Sequence, residues 1–229
     1  MSGAARPALR SAGGVTVIGG GAVSQADLAE ALEAAPLLVA ADGGADRALA
    51  LGRMPDLVIG DLDSLTPEAR RLIAADRILH VAEQDSTDFA KCLQRIEAPF
   101  VIAVGFTGLR LDHTLAALTV MAGHRACPVL LLASDDVVFL APPVLRLPLG
   151  AGTRVSLYPM GPVRGSSAGL EWPIDGIEMA PGGRVGTSNR ATGEVTLRSE
   201  GPLLVMLPRD SLSVALSALG LPGAAIAGL

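Results

Sequence analysis

The sequence predicts an α/β chain: a doubly wound parallel sheet with helices over residues 15–141, then an antiparallel β domain over 142–229. Three observations carry this. Through the first two-thirds, short and almost wholly apolar runs alternate with helix-length amphipathic segments, as strands do when helices cover both faces of a sheet. After Pro142-Pro143 the runs stay short and glycine and proline punctuate them throughout, the pattern of an antiparallel β domain. Half of the 229 residues are hydrophobic but only 3% are aromatic, so the core is built from Leu, Val, Ile and Ala.

Residues 1–14 are small and polar, carry Arg6 and Arg10, and read as a loose tail. Strands are expected over 15–18, 37–41, 57–59, 78–81, 100–104 and 129–133. The run 15–18 meets Gly19-Gly20-Gly21 and is too short for a signal-peptide core. Helices are expected over 25–34, 67–75, 87–96 and 115–123. Thr66 is the natural N-cap of the second, with Pro67 at its first position. In the third, Phe89, Cys92, Leu93 and Ile96 fall on one face. The domain boundary is placed near 141–148. Beyond it, strands are expected over 154–158, 183–187, 193–198 and 203–207. The apolar segment 212–229 is interrupted by Gly220, Pro222 and Gly223. It falls short of the ~20 continuous apolar residues of a membrane span and reads as a packed terminal helix or a subunit contact.

A net charge of −5 argues against a nucleic-acid partner, whose phosphates require a basic surface. Cys92 and Cys127 are the only cysteines. They are too few for a disulfide scaffold or a four-thiolate zinc site, and read as two buried thiols in a reducing cytoplasm.

Ligands of open α/β sheets bind at the C-terminal ends of the strands, and there the polar residues collect. Run 37–41 ends in Asp42-Gly43-Gly44, and run 57–59 in Gly60-Asp61-Leu62-Asp63-Ser64. Run 78–81 leads to Gln84-Asp85-Ser86-Thr87-Asp88. Run 100–104 leads to Gly105-Phe106-Thr107-Gly108-Leu109-Arg110-Leu111-Asp112-His113. Several acids on one rim suggest a metal site. In an extended chain Asp61 and Asp63 point the same way, and both carboxylates can face one cation; magnesium takes a few carboxylates plus waters and phosphate oxygens. Asp85 has a plain alternative as N-cap of the next helix with Asp88 as its reciprocal partner, which the residues alone favour. That helix start also offers N–H groups to a phosphate. Asp112 can equally cap the helix after it, and His113 can be structural. The dinucleotide fingerprint is not met, since Ser24 takes its third glycine place. A P-loop is excluded, because the only lysine, Lys91, follows Ala90 rather than glycine.

Together these segments resemble one family. Ala41-Asp42-Gly43-Gly44-Ala45, Gly60-Asp61-Leu62-Asp63-Ser64, Gln84-Asp85-Ser86-Thr87-Asp88-Phe89, Leu109-Arg110-Leu111-Asp112-His113, Gly169-Leu170-Glu171-Trp172-Pro173 and Thr187-Ser188-Asn189 stand in the order seen in thiamine pyrophosphokinases. The resemblance spans roughly residues 15 to 208. It implies a Rossmann-like α/β domain that binds ATP and metal, followed by a thiamine-binding β-sandwich. It also implies a homodimer with sites shared between subunits, and transfer of the pyrophosphoryl group of ATP to the thiamine hydroxyl with release of AMP. By the same resemblance Asp61, Asp63 and Asp88 would hold magnesium, with Asp42 and Asp112 completing the acidic floor. Arg110 would spread charge developing at phosphorus, and Asp63 or Asp88 would accept the hydroxyl proton. Gln84 would touch thiamine, Trp172 would stack on its ring, and Ser188 with Asn189 would bind nearby. Gly43, Gly44, Asp85, Thr87, Gly105, Thr107, Gly108 and His113 would line the substrate site. Without the family, Trp172 reads as a core residue.

The sequence departs from the family pattern in three places. Gly108-Leu109-Arg110 replaces Gly-Gly-Arg, Glu171 replaces a lysine before Trp172, and Gln84 stands where some members have lysine. A rival reading, a metal-dependent nucleotidyl- or glycosyltransferase built on Asp61-x-Asp63, leaves Trp172 and Ser188-Asn189 unexplained. A non-catalytic nucleotide or thiamine sensor would have no use for the full set of acids. No membrane partner and a cytoplasmic location are expected.

Overall fold

A computed structural model describes residues 6–222; residues 1–5 of the expected tail and 223–229 of the apolar terminal segment lie outside the described residues. The described residues form two compact units, one of residues 6–120 and 124–132, the other of 121–123 and 133–222.

The first unit runs β1 (Leu9–Arg10), β2 (Val15–Ile18), α1 (Gln25–Ala34), β3 (Leu37–Ala41), α2 (Gly44–Ala50), β4 (Leu57–Gly60), α3 (Pro67–Leu72), β5 (Ile78–His80), α4 (Asp88–Leu93), β6 (Ile96–Glu97), β7 (Val101–Val104), most of α5 (Leu111–Gly123) and β8 (Val129–Leu132). Its strand pairings are parallel: β3 with β4, β4 with β5, β2 with β7, β7 with β8, and β1 with β6. β3 lies beside β2, so the strand order reverses between β2 and β7. All four residues of β2, β7 and β8 are buried, as strands under helices on both faces must be. Each fully buried Val, Ile or Leu there contributes on the order of 1.5–3 kcal/mol.

The elements differ from expectation in readable ways. α1 keeps its predicted bounds, fixed by a capping box between Ser24 and Asp27. α3 has the predicted Thr66 cap and Pro67, but ends at Leu72 because Ile73 turns extended and buries its side chain. α4 is shorter than expected, because Ile96 leaves the helix to pair in β6 with Leu9. That pairing also ties down part of the segment read as a tail, aided by an ion pair between Arg10 and Glu97 at 3.1 Å. α5 starts four residues before the predicted 115. α2 was not expected at all. Gly44 permits it: a Cβ there would lie 2.1 Å from the carbonyl oxygen of Ile18, so any side chain would push the helix off β2.

The second unit comprises β9 (Asp136–Leu140), β10 (Val144–Leu147), β11 (Arg154–Pro159), β12 (Arg164–Leu170), β13 (Gly186–Glu200), β14 (Leu203–Pro208) and α6 (Leu212–Ala218). Its strand pairings are antiparallel. β13 is one strand of 15 residues, where two short runs were expected. Its first part pairs with β11, and the remainder with β12 and β10. Residues 188–192, expected to separate the two runs, continue the strand, and Gly193 is accommodated within it at φ 154°. β12, Arg-Gly-Ser-Ser-Ala-Gly-Leu, carries little apolar signal and is a strand because β13 pairs with it. α6 buries Leu212, Ala215 and Leu216, which agrees with a packed helix near the C-terminus. Among the described residues no helix is long and apolar enough to cross a membrane. Both cysteines are free; Cys92 is buried, whereas Cys127 is only half-buried, against the expectation of two buried thiols.

Candidate active site

Two strand ends and a helix start bring carboxylates together in the first unit. Asp42 follows β3, Asp61 follows β4, and Asp88 opens α4. One oxygen from each lies within 4.8 Å of the others. Asp42 is 2% exposed and its backbone is left-handed at φ 44°, a conformation that Asp tolerates better than most residues. Its Oδ2 accepts from the Ser64 N–H at 3.0 Å. Its Oδ1 is buried without a hydrogen-bond partner. Burial pushes this carboxyl up to about 6, against the smaller opposing effect of the Ser64 N–H; the Asp88 charge, the side chain of Asp63 as a hydrogen-bonding neighbour and the Asp61 charge add to the rise.

Asp63 stands outside this trio. The chain is not extended at Asp61-Leu62-Asp63: Leu62 has φ 65°, which breaks the alternation that would aim both carboxylates one way. Asp63 is exposed and its Oδ1 accepts from Ser64 Oγ at 2.9 Å.

Lys91 balances the acids. It is 1% exposed, and its Nζ donates to Asp61 Oδ2 at 2.9 Å and to Asp88 Oδ1 at 3.0 Å. Burial alone would lower the ammonium pKa, but the two carboxylate hydrogen bonds outweigh it and the net shift is upward. In turn the Lys91 hydrogen bond holds Asp61 below the usual carboxylate range. Gln84 Nε2 also donates to Asp61 Oδ2, at 3.1 Å. Sequence reasoning used Lys91 only to exclude a P-loop. The missed signal was a lone lysine three residues after Asp88, beside the apolar face of a helix.

The cap of α4 is Thr87, whose Oγ accepts from Ala90 N–H at 3.2 Å. Asp85 is therefore not the cap; it is exposed, and its N–H donates to Glu83 Oε2 at 2.9 Å. Beside α4, the loop after β7 interlocks with the glycines after β2. Gly21 N–H donates to the Gly105 carbonyl at 2.7 Å and Ala22 N–H to that of Thr107 at 3.1 Å. A Cβ on Gly19 or Gly21 would meet the Gly105 oxygen at 2.6 Å, so these glycines are needed for packing. Phe106 stacks on the buried Phe89 of α4, with centroids 4.2 Å apart. Gly108 follows at φ 101°. Arg110, Asp112 and His113 are exposed. Arg110 Nε donates to Asp112 Oδ1 at 3.1 Å, and the guanidinium also reaches Oδ2. Asp112 lies inside the first turn of α5 and holds Arg110, in place of the expected cap. Gly43 and Gly44 lead from Asp42 into α2.

In the second unit, Trp172 is 53% exposed and so is not a core residue. Asn189 is 4% exposed and meets the Trp172 backbone twice: Trp172 N–H donates to its Oδ1 at 3.2 Å, and its Nδ2 donates to the Trp172 carbonyl at 2.7 Å. Ser188 is exposed and left-handed at φ 61°. Its N–H donates to Ser156 Oγ at 3.1 Å, where the β11–β13 register shifts between Val155 and Leu157.

Comparison with known proteins agrees in both units. Residues 28–131 match the family model described as thiamin pyrophosphokinase, catalytic domain, and residues 144–204 match thiamin pyrophosphokinase, vitamin B1 binding domain. The chain is 28% identical over 205 residues to thiamine pyrophosphokinase 1 of Oryza sativa subsp. japonica, covering 74% of this chain and 78% of that one. It is 28% identical over 219 residues to thiamine pyrophosphokinase 1 of Arabidopsis thaliana, covering 80% and 82%. In fold it is similar to thiamin pyrophosphokinase from Candida albicans, at a TM-score of 0.72 and 17% identity over 86% of this chain and 89% of that one. The yeast enzyme is similar at a TM-score of 0.71 and 19% identity, with 88% of each chain covered.

Proposed function

The chain belongs to the thiamine pyrophosphokinase family, and we propose that the acidic cluster of its first unit is where it performs that family's reaction, transfer of the pyrophosphoryl group of ATP to the hydroxyl of thiamine to give thiamine diphosphate and AMP. The observation that carries this is the convergence of Asp42, Asp61 and Asp88 around one point beside Lys91, on the strand-end rim where α/β sheets bind ligands. Magnesium fits this donor set: all three are hard carboxylate oxygens, and Asp42 Oδ1 is a buried acceptor that no protein donor satisfies. Asp42, Asp61 and Asp88 would hold it, with Asp42 in the place first given to Asp63. Bound with ATP, the ion would offset phosphate charge and polarise the β-phosphoryl group.

The remaining roles fall to this chain's own side chains. The thiamine hydroxyl oxygen bonds to the β-phosphorus as the bond from that phosphorus to the oxygen of the α-phosphate breaks, releasing AMP. Asp63, exposed and not engaged by Lys91, accepts the hydroxyl proton. Arg110 leaves Asp112 to meet phosphate oxygens, which bind a guanidinium in two places at once. Thr87, Asp85, His113 and the loops at Gly43-Gly44 and 105–108 line the phosphates. The second unit binds thiamine, with Trp172 stacked on its ring and Ser188 contacting it. The working form is a cytoplasmic homodimer that shares sites between subunits; two free cysteines suit that compartment, and nucleic acid and membrane are not partners.

The test is incubation with ATP, magnesium and thiamine, followed by chromatography. AMP and thiamine diphosphate in equal amounts, abolished by chelator, are expected. ADP with thiamine monophosphate would overturn attack at the β-phosphorus, and absence of thiamine turnover would overturn the assigned acceptor.

A further inference from the structure

Trp172 presents a physical problem. More than half of its surface is exposed, so core packing does not hold the indole in one orientation. A flat substrate that stacks on it gains little unless the ring is already set, because ordering a free aromatic side chain on binding costs entropy. The residue follows β12, whose ladder to β13 closes with Leu170 opposite Ala191 and a Glu171 N–H to Arg190 carbonyl bond of 2.9 Å. Among the described residues, no further main-chain pair carries the ladder to Trp172 itself.

Asn189 supplies the missing pair. Its side-chain amide gives Trp172 both an acceptor and a donor, at 3.2 and 2.7 Å, as a paired strand residue would. Its Oδ1 also accepts from Arg190 N–H at 2.8 Å. A primary amide has two donors and about two acceptor sites, and main-chain groups take three of the four here. The amide orientation follows from the bonds: reversed, its NH2 would face two N–H donors. With the residue 4% exposed, almost nothing of it remains for a substrate. Ser188 makes this possible. Its left-handed backbone, anchored on Ser156 at the register shift, turns the strand so that Asn189 is buried while Ser188 is left exposed.

We infer that Asn189 is a positioning residue that acts through Trp172, clamping its backbone so that the indole presents a fixed face to the thiamine ring, and that it does not itself bind substrate. The inference rests on the proposed stacking at Trp172 and corrects the role first expected for Asn189.

Trp172 is the sole tryptophan, so intrinsic fluorescence reports this one side chain. In Asn189→Ala without ligand, the anisotropy of Trp172 should fall and its quenching by acrylamide should rise. Ser188→Ala, which removes a substrate contact but no clamp, should change neither. In turnover assays Asn189→Ala should raise KM for thiamine about tenfold and leave KM for ATP and kcat within about twofold. In a Trp172→Ala background, the same change should raise KM by less than about twofold more, because a residue that works through Trp172 has nothing left to position. A full additional tenfold rise in that background would make Asn189 a direct contact and sink the inference, as would unchanged anisotropy in the free protein. If Asn189→Ala does not fold, Asn189→Asp keeps the acceptor and replaces the donor to the Trp172 carbonyl with a repelling oxygen, and the same measurements decide. Loss of thiamine turnover in the unaltered protein would overturn the proposed function, whereas the fluorescence of the ligand-free variants tests the clamp separately.

Discussion

Three carboxylates with oxygens within 4.8 Å of one another repel, and the ammonium of Lys91 makes that arrangement tolerable before any metal arrives. Removing one partner from a buried ion pair leaves an uncompensated charge, at a cost of about 3–5 kcal/mol. Lys91→Met is therefore expected to lower stability by roughly 3 kcal/mol in chemical denaturation of the metal-free protein, and Lys91→Arg should not restore it, because a planar guanidinium does not fit a pocket shaped around a point charge. Stability within about 0.5 kcal/mol of the unaltered protein would show that the cluster does not depend on Lys91. Asp42 gives a pH dependence with a definite sign. Its folded carboxyl is raised to about 6, so its contribution is fully present below its unfolded value near about 4 and is lost as pH rises through 6. Asp61 is shifted the other way; its contribution is present above the unfolded value and lost only in acid. Metal-free protein should lose stability between about pH 4 and 6, and Asp42→Asn should flatten that slope when denaturation midpoints are followed against pH. An unchanged slope in Asp42→Asn would assign the titration to another group.

At the scale of the element, the site depends on where helices begin. Thr87 caps α4 through the Ala90 N–H and so fixes Asp88 at its first position and Lys91 one turn on. Thr87→Ala is expected to cost about 1 kcal/mol of stability and to lower kcat more than that loss explains, since both charged residues sit in the turns it anchors. α2 depends instead on absence of a side chain. Gly44→Ala would bring a methyl within 2.1 Å of the Ile18 oxygen, and the expected destabilisation is about 1–3 kcal/mol, read as a drop in melting temperature with a weaker metal affinity because Asp42 lies two residues away. These two helix starts also show what a sequence displays. α3 was legible because Thr66 is a local cap with a local partner, α1 was legible as a helix-length segment between two apolar runs, and the buried strands were legible as unbroken apolar runs. α2 was not, because Asp-Gly-Gly reads as a turn until Ile18 is known to lie against it. β12 was not, because its residues are small and polar and only β13 makes them a strand. The site divides along the same line. Acids at strand ends were visible as spacing, but their aim was not. Leu62 at φ 65° sends Asp63 away from Asp61, and a leucine gives no warning of a left-handed backbone. Lys91 was equally hidden, because its partners lie up to 30 residues off in sequence.

At the scale of the whole molecule, the proposed roles fall on separate compact units, and that division predicts how ligands protect the chain. A ligand that binds only the folded state stabilises it by RT ln(1 + [L]/Kd), about 2.7 kcal/mol at a hundred times Kd. The backbone groups nearest the ligand gain protection even where local opening, not global unfolding, controls exchange. Magnesium with a non-hydrolysable ATP analogue should therefore slow amide hydrogen exchange at residues 42–45, 60–64 and 87–91. Thiamine should slow it at 170–173 and 186–190. The register shift between Val155 and Leu157 and the left-handed Ser188 make this stretch of β13 an interrupted ladder, with fewer regular bonds to resist opening, so the relative effect of ligand there should be large. Trp172→Ala should remove the thiamine-dependent protection and leave the nucleotide-dependent protection unchanged, and Asp61→Asn should do the reverse. Nucleotide protection that appeared at 170–173 and 186–190 in the absence of thiamine would mean that the second unit meets the nucleotide as well, and the assignment of one substrate to each unit would have to be given up.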